Sequence, residues 1–389
     1  MTTTPLVGRP ADVWRLPVLY AASYIALGSL LPYLALELAG GGVTGWQFSL
    51  CLGALPLGRL LAGPVWGLIA DRTRAPAATL KVAAALAPPT VVALIWALDA
   101  RQGTVVVVAC LAYALVSAPV GPIMDALALA SKPGGPAAYG ALRRWGSFGY
   151  LVGSLLGGVL LAQLGLSPVW LVLGGTMAVA LTSLGLAERT DLRSEPLGPA
   201  LRVFASDRVL VGILVAGGLH FSAHVAASSF LSVHMAALGL STQWTGIALA
   251  AGVVVEIVVM STSQRLLGRF GAAVLLQGAL VIAIFRWIGM TQVTSGAAMV
   301  ALQATHGITF GAFWLASVAL VDARAPASVR SSGQAVLSAA VAGAGALVGM
   351  VGGSMVVSAT DTWMLFAVAV VMAVLATVVA LGSLSAGRL

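Results

Sequence analysis

Among the ionisable residues within the long apolar stretches of this 389-residue chain, six have positions that could support chemistry. They are Arg59, Asp125, Arg143, Glu256, Arg286 and His306. A charge at the centre of a lipid bilayer costs about 3 kcal/mol or more, so it needs a partner, water or a ligand. Carboxylates and guanidinium groups form directed hydrogen bonds to polar solutes, and a carboxylate or an imidazole can carry a proton. These residues are therefore candidates for binding a solute and moving a proton.

Asp125 and Arg143 have matching positions on consecutive predicted helices. Asp125 lies seven residues before Lys132, and Arg143 lies seven residues after Pro136. At 1.5 Å per residue, each should lie about 10 Å from the inner membrane face. An ion pair between them is therefore feasible. It could belong to a substrate site, or it could be a structural pair that holds two helices together.

Glu256 and Arg59 occupy equivalent positions in the two halves of the chain. Glu256 lies thirteen residues before Arg269, and Arg59 lies thirteen residues before Arg72. The helical rise places both about 20 Å above those arginines, near the middle of a membrane. We expect the two to pair in one conformation and separate in another, which is the minimum requirement for proton coupling. For Arg59, a structural charge within its own half is the alternative.

The composition shows what kind of elements must carry these residues. The chain is 60% hydrophobic and only 8% charged, whereas soluble domains have about 25% charged residues, so a soluble or disordered protein is excluded. Long apolar runs predict membrane helices rather than a barrel. The net charge of +8 comes from basic residues in short loops, which orient membrane spans and do not indicate nucleic acid. We find no P-loop, no nucleophile–base pair and no clustered metal ligands, so we expect no enzyme activity and no cofactor.

Twelve apolar segments are long enough to be candidate membrane spans. Their approximate bounds are 14–38, 44–70, 77–98, 104–131, 138–163, 168–187, 208–235, 242–264, 271–290, 295–321, 329–357 and 362–386. With the N-terminus inside, fifteen of the twenty Lys and Arg residues flank cytoplasmic ends. They are Arg9, Arg15, Arg72, Arg74, Lys81, Lys132, Arg189, Arg193, Arg202, Arg208, Arg265, Arg269, Arg324, Arg330 and Arg388. This asymmetry predicts a multi-pass protein with both termini in the cytoplasm. The membrane that we expect is a bacterial cytoplasmic (inner) membrane.

A polar stretch in the middle of the chain, residues 188–208, divides six spans from six. We predict an all-α membrane protein of twelve transmembrane helices in two pseudo-symmetric six-helix halves. The halves are residues 1–187 and 208–389, and residues 188–207 are a cytoplasmic linker. Two such halves describe a transporter with its substrate site near the midplane.

The loop after the second span reads Gly67-Leu-Ile-Ala-Asp71-Arg72-Thr-Arg74. It resembles the loop signature of the major facilitator superfamily, although Arg74 stands where that signature usually has glycine. A weaker echo, Leu267-Gly-Arg-Phe-Gly271, follows the eighth span. The resemblance implies the major facilitator fold and a gating role at the cytoplasmic ends for Asp71, Arg72 and Arg74.

A closer resemblance begins at Asp125, which is followed eighteen residues later by Arg143 and then by Tyr150. This pattern is similar to the lactose-permease-like branch, which includes phenylpropionate permeases and nucleoside:proton symporters. The resemblance implies a common substrate site, to which we also assign Tyr24 and Arg59. Its predicted members are Tyr24, Arg59, Asp125, Arg143, Tyr150, Glu256 and His306. The residues predicted to couple transport to the proton gradient are Asp125, Glu256, Arg286 and His306.

Several positions depart from that branch. Thr309 and Gln303 replace a proton-carrying Glu and a Lys, and Phe221 and His224 fall at the positions of two acids. These departures leave the coupling ion open. Arg286 could instead snorkel to the interface. His220 and His224 are one helical turn apart, a spacing that could bind metal, but we expect them to line the cavity.

The leading hypothesis is a secondary transporter that takes up a sugar-like or nucleoside-like solute with a proton. Import of an organic anion, such as an aromatic acid, is the first alternative, because the arginines among these intramembrane residues outnumber the acids. Proton-coupled export of drugs or metabolites is the second, although the fifth span lacks the Gly-Pro pair typical of such exporters. The intramembrane charges argue against a receptor or lipid-handling protein. The expected partners are the lipid bilayer and a small-molecule substrate, with no nucleic acid, and the expected oligomeric state is a monomer.

Overall fold

A computed structural model describes residues 14–131, 135–187, 198–326 and 330–386. For some residues within these ranges, including Asp71 and Arg143, it describes only the backbone. The chain divides into two compact units, Met1–Ser194 and Glu195–Leu389. Helices are the regular secondary structure of the described residues in each unit, and turns and short loops connect them. This agrees with the all-α prediction.

The first unit begins with a helix that is interrupted near its C-terminal end. A bend of 47° separates the helix Arg15–Leu30 from the helix Leu34–Gly40. Pro76 lies in the first turn of the helix Pro76–Asp99, at a position that favours helix initiation. The helices are α1 (Arg15–Leu30), α2 (Leu34–Gly40), α3 (Gly45–Thr73), α4 (Pro76–Asp99), α5 (Gly103–Ser117), α6 (Val120–Ser131), α7 (Gly135–Val159) and α8 (Val169–Ser183). A π-helical segment, Leu160–Leu164, extends α7.

The second unit contains two π-helical segments, Gly307–Ala312 and Ala339–Gly345, within long helices. Asp207 caps the helix that begins at Arg208, because Asp207 Oδ1 accepts hydrogen bonds from the backbone amides of Val209 and Leu210. The helices are α9 (Gly198–Ser206), α10 (Arg208–Ser229), α11 (Leu231–Ala237), α12 (Thr242–Ser261), α13 (Ser263–Phe270), α14 (Ala272–Gln292), α15 (Gly296–Ala304), α16 (Phe313–Arg324), α17 (Arg330–Ser338), α18 (Ala346–Ala359) and α19 (Trp363–Ala386).

Part of the predicted linker is structured. Residues 188–197 lie outside the described part, but residues 198–206 form α9, and Phe204 of that helix is buried in the core of the second unit. Asp207 also pairs with Arg324 of α16, with Oδ2 and a guanidinium nitrogen 3.0 Å apart. The C-terminal part of the predicted linker therefore belongs to the second unit.

The helices have the length and polarity of membrane spans. Ten of those in the described ranges are long and apolar enough to cross a bilayer, and the bent pair α1–α2 makes eleven. Helix α8 has 15 residues, about 22 Å at the helical rise, which is short for a hydrocarbon core of about 30 Å. The count of twelve thus stays a prediction, whereas a multi-pass membrane protein is the architecture observed.

Exposed side chains also fit a lipid environment. Trp46, Trp96, Trp170 and Trp363 are exposed and lie near helix ends, where tryptophans favour the membrane–water interface. Large apolar residues, such as Phe285 in α14, are exposed between the helix ends. Such apolar surfaces are suited to contact with lipid rather than with water.

Glycines allow one pair of helices in each unit to approach closely. A Cβ added to Gly149 or Gly153 of α7 would clash with a backbone carbonyl of α1. In the second unit, a Cβ at Gly349 of α18 would clash with the carbonyl of Ser222 in α10. Small residues at four-residue spacing permit such packing in membranes. The repeated contact supports an internal repeat.

Candidate functional site

The first unit contains a cavity of about 260 Å³ with polar and apolar walls. Three of the predicted substrate-site residues, Tyr24 of α1, Arg59 of α3 and Asp125 of α6, line it together. Helices α4, α5 and α8 complete the wall with both apolar residues and residues that carry hydroxyl groups. The cavity therefore combines a carboxylate, a guanidinium and phenol hydroxyls with apolar surface, a combination typical of sites for small organic solutes.

Asp125 is held in place by a tyrosine that the sequence did not single out. The hydroxyl of Tyr20 donates a hydrogen bond to Asp125 Oδ1 at 2.5 Å, and the Tyr20 side chain is fully buried. An ionised carboxylate can accept about four hydrogen bonds, so Asp125 keeps acceptor capacity for a solute. Tyr20 lies one helical turn before Tyr24, and this spacing was the available sequence signal.

Tyr113 of α5 is a second cavity residue that the sequence analysis missed. It is buried, and it lines the same wall as Arg59. Its segment, residues 103–117, is otherwise almost entirely apolar, so a single tyrosine gave no periodic pattern to follow.

The structure does not bring the other predicted residues of the first unit to this cavity in the part of the chain that it describes. The cavity-lining residues do not include Tyr150, whose carbonyl packs against Gly28 of α1. The Arg143 side chain lies outside the described part, so its predicted pairing with Asp125 stays a prediction. Among the predicted gating residues, Arg72 and Arg74 are exposed, and the Asp71 side chain is outside the described part.

In the second unit, Glu256 of α12 faces His306 at the end of the α15 segment. Glu256 Oε2 and His306 Nε2 are 3.7 Å apart, and both side chains are partly exposed. This separation exceeds a direct hydrogen bond but allows proton transfer through one water molecule or a small movement. A Cβ on Gly307 would clash with the backbone at Val255 and Glu256, so glycine is required for this close approach. Arg59 and Glu256 belong to different units, and their predicted pairing remains a prediction.

Arg286 of α14 is fully buried among neutral groups. Its guanidinium donates hydrogen bonds to Thr309 Oγ1 at 3.0 Å and to Gln303 Oε1, and lies over the Trp287 ring. No carboxylate lies within ion-pair distance of Arg286 in the described ranges. The side chain is only 1% exposed, so the snorkelling interpretation is wrong. The two neutral partners are the positions where the lactose-permease-like pattern has charged residues.

The expectation that His220 and His224 line a cavity is also wrong. Both side chains are buried, and His220 Nε2 lies 2.9 Å from the carbonyl oxygen of Thr309. The His224 ring packs against the His306 ring with centroids 4.5 Å apart. The contact of His220 with Thr309 and the packing of the His224 ring on the His306 ring hold both imidazoles inside the unit. Within the described ranges, no group of three or more metal-ligating side chains could hold a metal ion.

Comparisons with known proteins agree with this architecture. The model of the MFS_1 like family matches residues 13–368. Maltose permease of Geobacillus stearothermophilus is 31% identical over 284 residues, covering 70% of this chain and 69% of the relative. The probable 3-phenylpropionic acid transporter of Escherichia coli (strain K12) is 27% identical over 333 residues, covering 83% and 86%. The crystal structure of the nucleoside transporter NupG has a TM-score of 0.79 at 16% identity, covering 96% of this chain and 98% of NupG.

Proposed function

The chain belongs to the MFS_1 like family, and from this premise we propose that it takes up a small polar organic solute together with a proton. Its fold is that of major facilitator transporters, and the protein is a multi-pass membrane transporter, not an enzyme. The proposed solute is sugar-like or nucleoside-like, and the proposed mechanism is alternating access driven by the proton gradient.

The observation that carries this proposal is the position of Asp125 in the cavity of the first unit. Its carboxylate is fixed by Tyr20 and shares the wall with Arg59 and Tyr24. A fixed acceptor beside a guanidinium donor suits a solute with several hydroxyl groups, because each hydroxyl can both donate and accept. The apolar wall can cover the ring of such a solute.

For the proton, we assign Glu256 and His306 as the exchanging pair. They are partly exposed and 3.7 Å apart, so a proton can move between them with little rearrangement. Asp125 and Arg286 are assigned supporting roles. We assign gating to Asp71, Arg72 and Arg74, and we place the protein as a monomer in a bacterial cytoplasmic membrane with both termini in the cytoplasm.

Import of an organic anion is the second candidate, and the environment of Arg286 favours it. A buried guanidinium bonded only to neutral groups is costly, and an anionic ligand bound nearby would compensate for its charge electrostatically, without direct contact, because the side chain is only 1% exposed. Two relatives named above match the two candidate substrate classes, since one is named a maltose permease and the other a probable 3-phenylpropionic acid transporter.

The test is solute-driven proton movement into proteoliposomes loaded with a pH-sensitive dye. Maltose, uridine and 3-phenylpropionate are added in turn to vesicles containing the wild type, Asp125→Asn, Glu256→Gln or the control Asp99→Asn. Asp99 is an exposed acid at the end of α4, outside the cavity. We expect the lumen to acidify with maltose or uridine in the wild type and the control.

Each variant should change a different step. Asp125→Asn should raise the KM for the solute about tenfold or more, because it loses the charge-assisted hydrogen bonds. Glu256→Gln should retain solute counterflow but lose proton movement. Transport of 3-phenylpropionate alone would select the organic-anion candidate, and alkalinisation would indicate export by antiport. Solute uptake without a pH change would reject proton coupling.

A further inference from the structure

A row of parallel rings follows one side of the α15–α16 segment. His306, Phe310 and Trp314 are spaced four residues apart, and all three are partly exposed. The rings of His306 and Phe310 have centroids 5.3 Å apart and planes within 10° of parallel. The rings of Phe310 and Trp314 are 6.5 Å apart and within 8° of parallel.

The π-helical segment accounts for this alignment. In an α-helix, residues four apart are offset by about 40°, because each residue turns about 100°. The wider π-helical turn at Gly307–Ala312 reduces this offset. Side chains at positions 306, 310 and 314 therefore lie nearly in line.

Helix α10 adds a fourth ring and a rigid backing. Phe221 is partly exposed, and its ring lies 6.1 Å from that of Phe310 and 6.5 Å from that of Trp314. Behind these rings, the buried His224 packs against Phe310 at 5.4 Å. We define the aromatic face as Phe221, His306, Phe310 and Trp314. These mutual contacts hold its rings in position.

The aromatic face has a polar edge at its His306 end. Glu256 approaches His306 there, whereas Arg286, Gln303 and Thr309 of the same unit are buried. A flat aromatic ring stacks favourably on such rings in an offset arrangement. A pyranose can also place a C–H face on such rings, but its equatorial hydroxyl groups then need hydrogen-bond partners around the ring, and Glu256 with His306 supplies them at one end of the aromatic face.

We propose that the aromatic face binds a planar aromatic ring of the transported solute, and that Glu256 accepts a hydrogen bond from an N–H or O–H group where that ring carries one. This inference rests on the proposed function and narrows its substrate class. It selects solutes that carry a flat ring, such as nucleosides or aromatic acids, over simple saccharides.

The experiment measures ligand-induced thermal stabilisation of the purified full chain in detergent. Uridine is compared with ribose, and 3-phenylpropionate with 3-cyclohexylpropionate, so that each pair differs in the flat ring. The variants are Phe310→Leu and Trp314→Leu. Phe285→Leu is the control, because Phe285 is an exposed aromatic residue of α14 outside the face. Melting temperatures without ligand report whether each variant folds.

We expect at least one aromatic ligand to stabilise the wild type, while its non-aromatic counterpart does not. Phe310→Leu and Trp314→Leu should each raise its Kd about tenfold, as expected for loss of a stacking contact, and Phe285→Leu should leave it unchanged. If aromatic ligands bind equally well to all variants, the aromatic face is not their site, and solute-driven acidification can still hold. The inference is overturned if ribose or 3-cyclohexylpropionate binds with the same affinity as its aromatic counterpart. It is also overturned if neither uridine nor 3-phenylpropionate binds.

Discussion

The Tyr20 hydroxyl donates a hydrogen bond of 2.5 Å to the Asp125 carboxylate, although the two residues lie 105 positions apart in the chain, on α1 and α6. Tyr20 is fully buried, whereas Asp125 also lines the cavity of the first unit. The bond therefore connects the packed interior of that unit with its candidate binding surface. Tyr20 acts as a positioning residue for Asp125.

Removing the hydroxyl in Tyr20→Phe should affect both stability and binding. A hydrogen bond to a charged group is worth about 1.5–3 kcal/mol, so we expect a loss of about 2 kcal/mol in the free energy of unfolding. The freed carboxylate loses its orientation, and we expect about a tenfold increase in solute Kd. The measurements are denaturation and equilibrium binding in detergent.

Tyr33→Phe is the matched control for this substitution. Tyr33 is equally buried, and its hydroxyl donates to the Ser154 carbonyl at 2.6 Å, away from the cavity-lining residues. It should lose about 1 kcal/mol of stability and no affinity. Equal losses of affinity in both variants would mean that Tyr20 acts through general packing.

Replacing Arg286 with methionine should separate folding from anion binding. The buried guanidinium has no ion-pair partner in the part of the chain that the structure describes, so the gain from removing a buried charge should offset the loss of its hydrogen bonds to Thr309 and Gln303. We expect an unchanged or higher Tm for Arg286→Met, with loss of carboxylate ligand binding. Arg286→Lys should lower the Tm, because one ammonium group cannot reproduce the geometry of the guanidinium fork.

A lower Tm for Arg286→Met with undiminished carboxylate binding would give the opposite assignment. Arg286 would then hold α14 against the π-helical segment and would have no role in binding an anion. A thermal-unfolding assay with and without 3-phenylpropionate distinguishes the two results.

The sequence identified several residues that carry the chemistry, but it did not identify all the residues that contact them. Apolar runs interrupted by charge were enough to predict membrane helices and to single out Asp125 and Glu256. His306, the partner of Glu256, was also predicted. Tyr20, the partner of Asp125, was not, because a hydrogen bond between distant helices depends on how they pack, and no local period encodes that. The aromatic face was missed for a related reason, since ordinary helical spacing does not anticipate a π-helical turn.

Adding a methyl group at Gly349 should test the close packing of α18 on α10. The new Cβ would clash with the backbone carbonyl of Ser222, which cannot rotate away, so we expect Gly349→Ala to cost about 1–3 kcal/mol. Gly278→Ala is the control, because a Cβ at this position in α14 meets nothing within 4 Å. It should be neutral or stabilise by up to about 1 kcal/mol. Similar Tm values for the two variants would show that α10 and α18 adjust at little cost.

Arg74 has a backbone conformation that glycine adopts more easily. Its φ is +51°, and the residue at the equivalent place in the second half, Gly271, has φ +74°. Each lies two residues after an arginine, Arg72 or Arg269, in the matching loop. A residue with a Cβ in this region is strained by about 1–2 kcal/mol. The arginine that replaces the glycine of the loop signature therefore has an energetic cost, which suggests that its charge is needed.

Arg74→Gly and Arg74→Ala should separate this charge from the conformation. Both remove the guanidinium, so if the charge gates transport, both should reduce the uptake rate equally, and Arg74→Lys should retain it. Only glycine relieves the strain, so Arg74→Gly should be about 1 kcal/mol more stable than Arg74→Ala. Uptake into proteoliposomes and Tm in detergent give the two readouts. Wild-type uptake by Arg74→Gly would remove Arg74 from the gate, because strain is retained at this position only where the structure around it, or its role, requires the side chain.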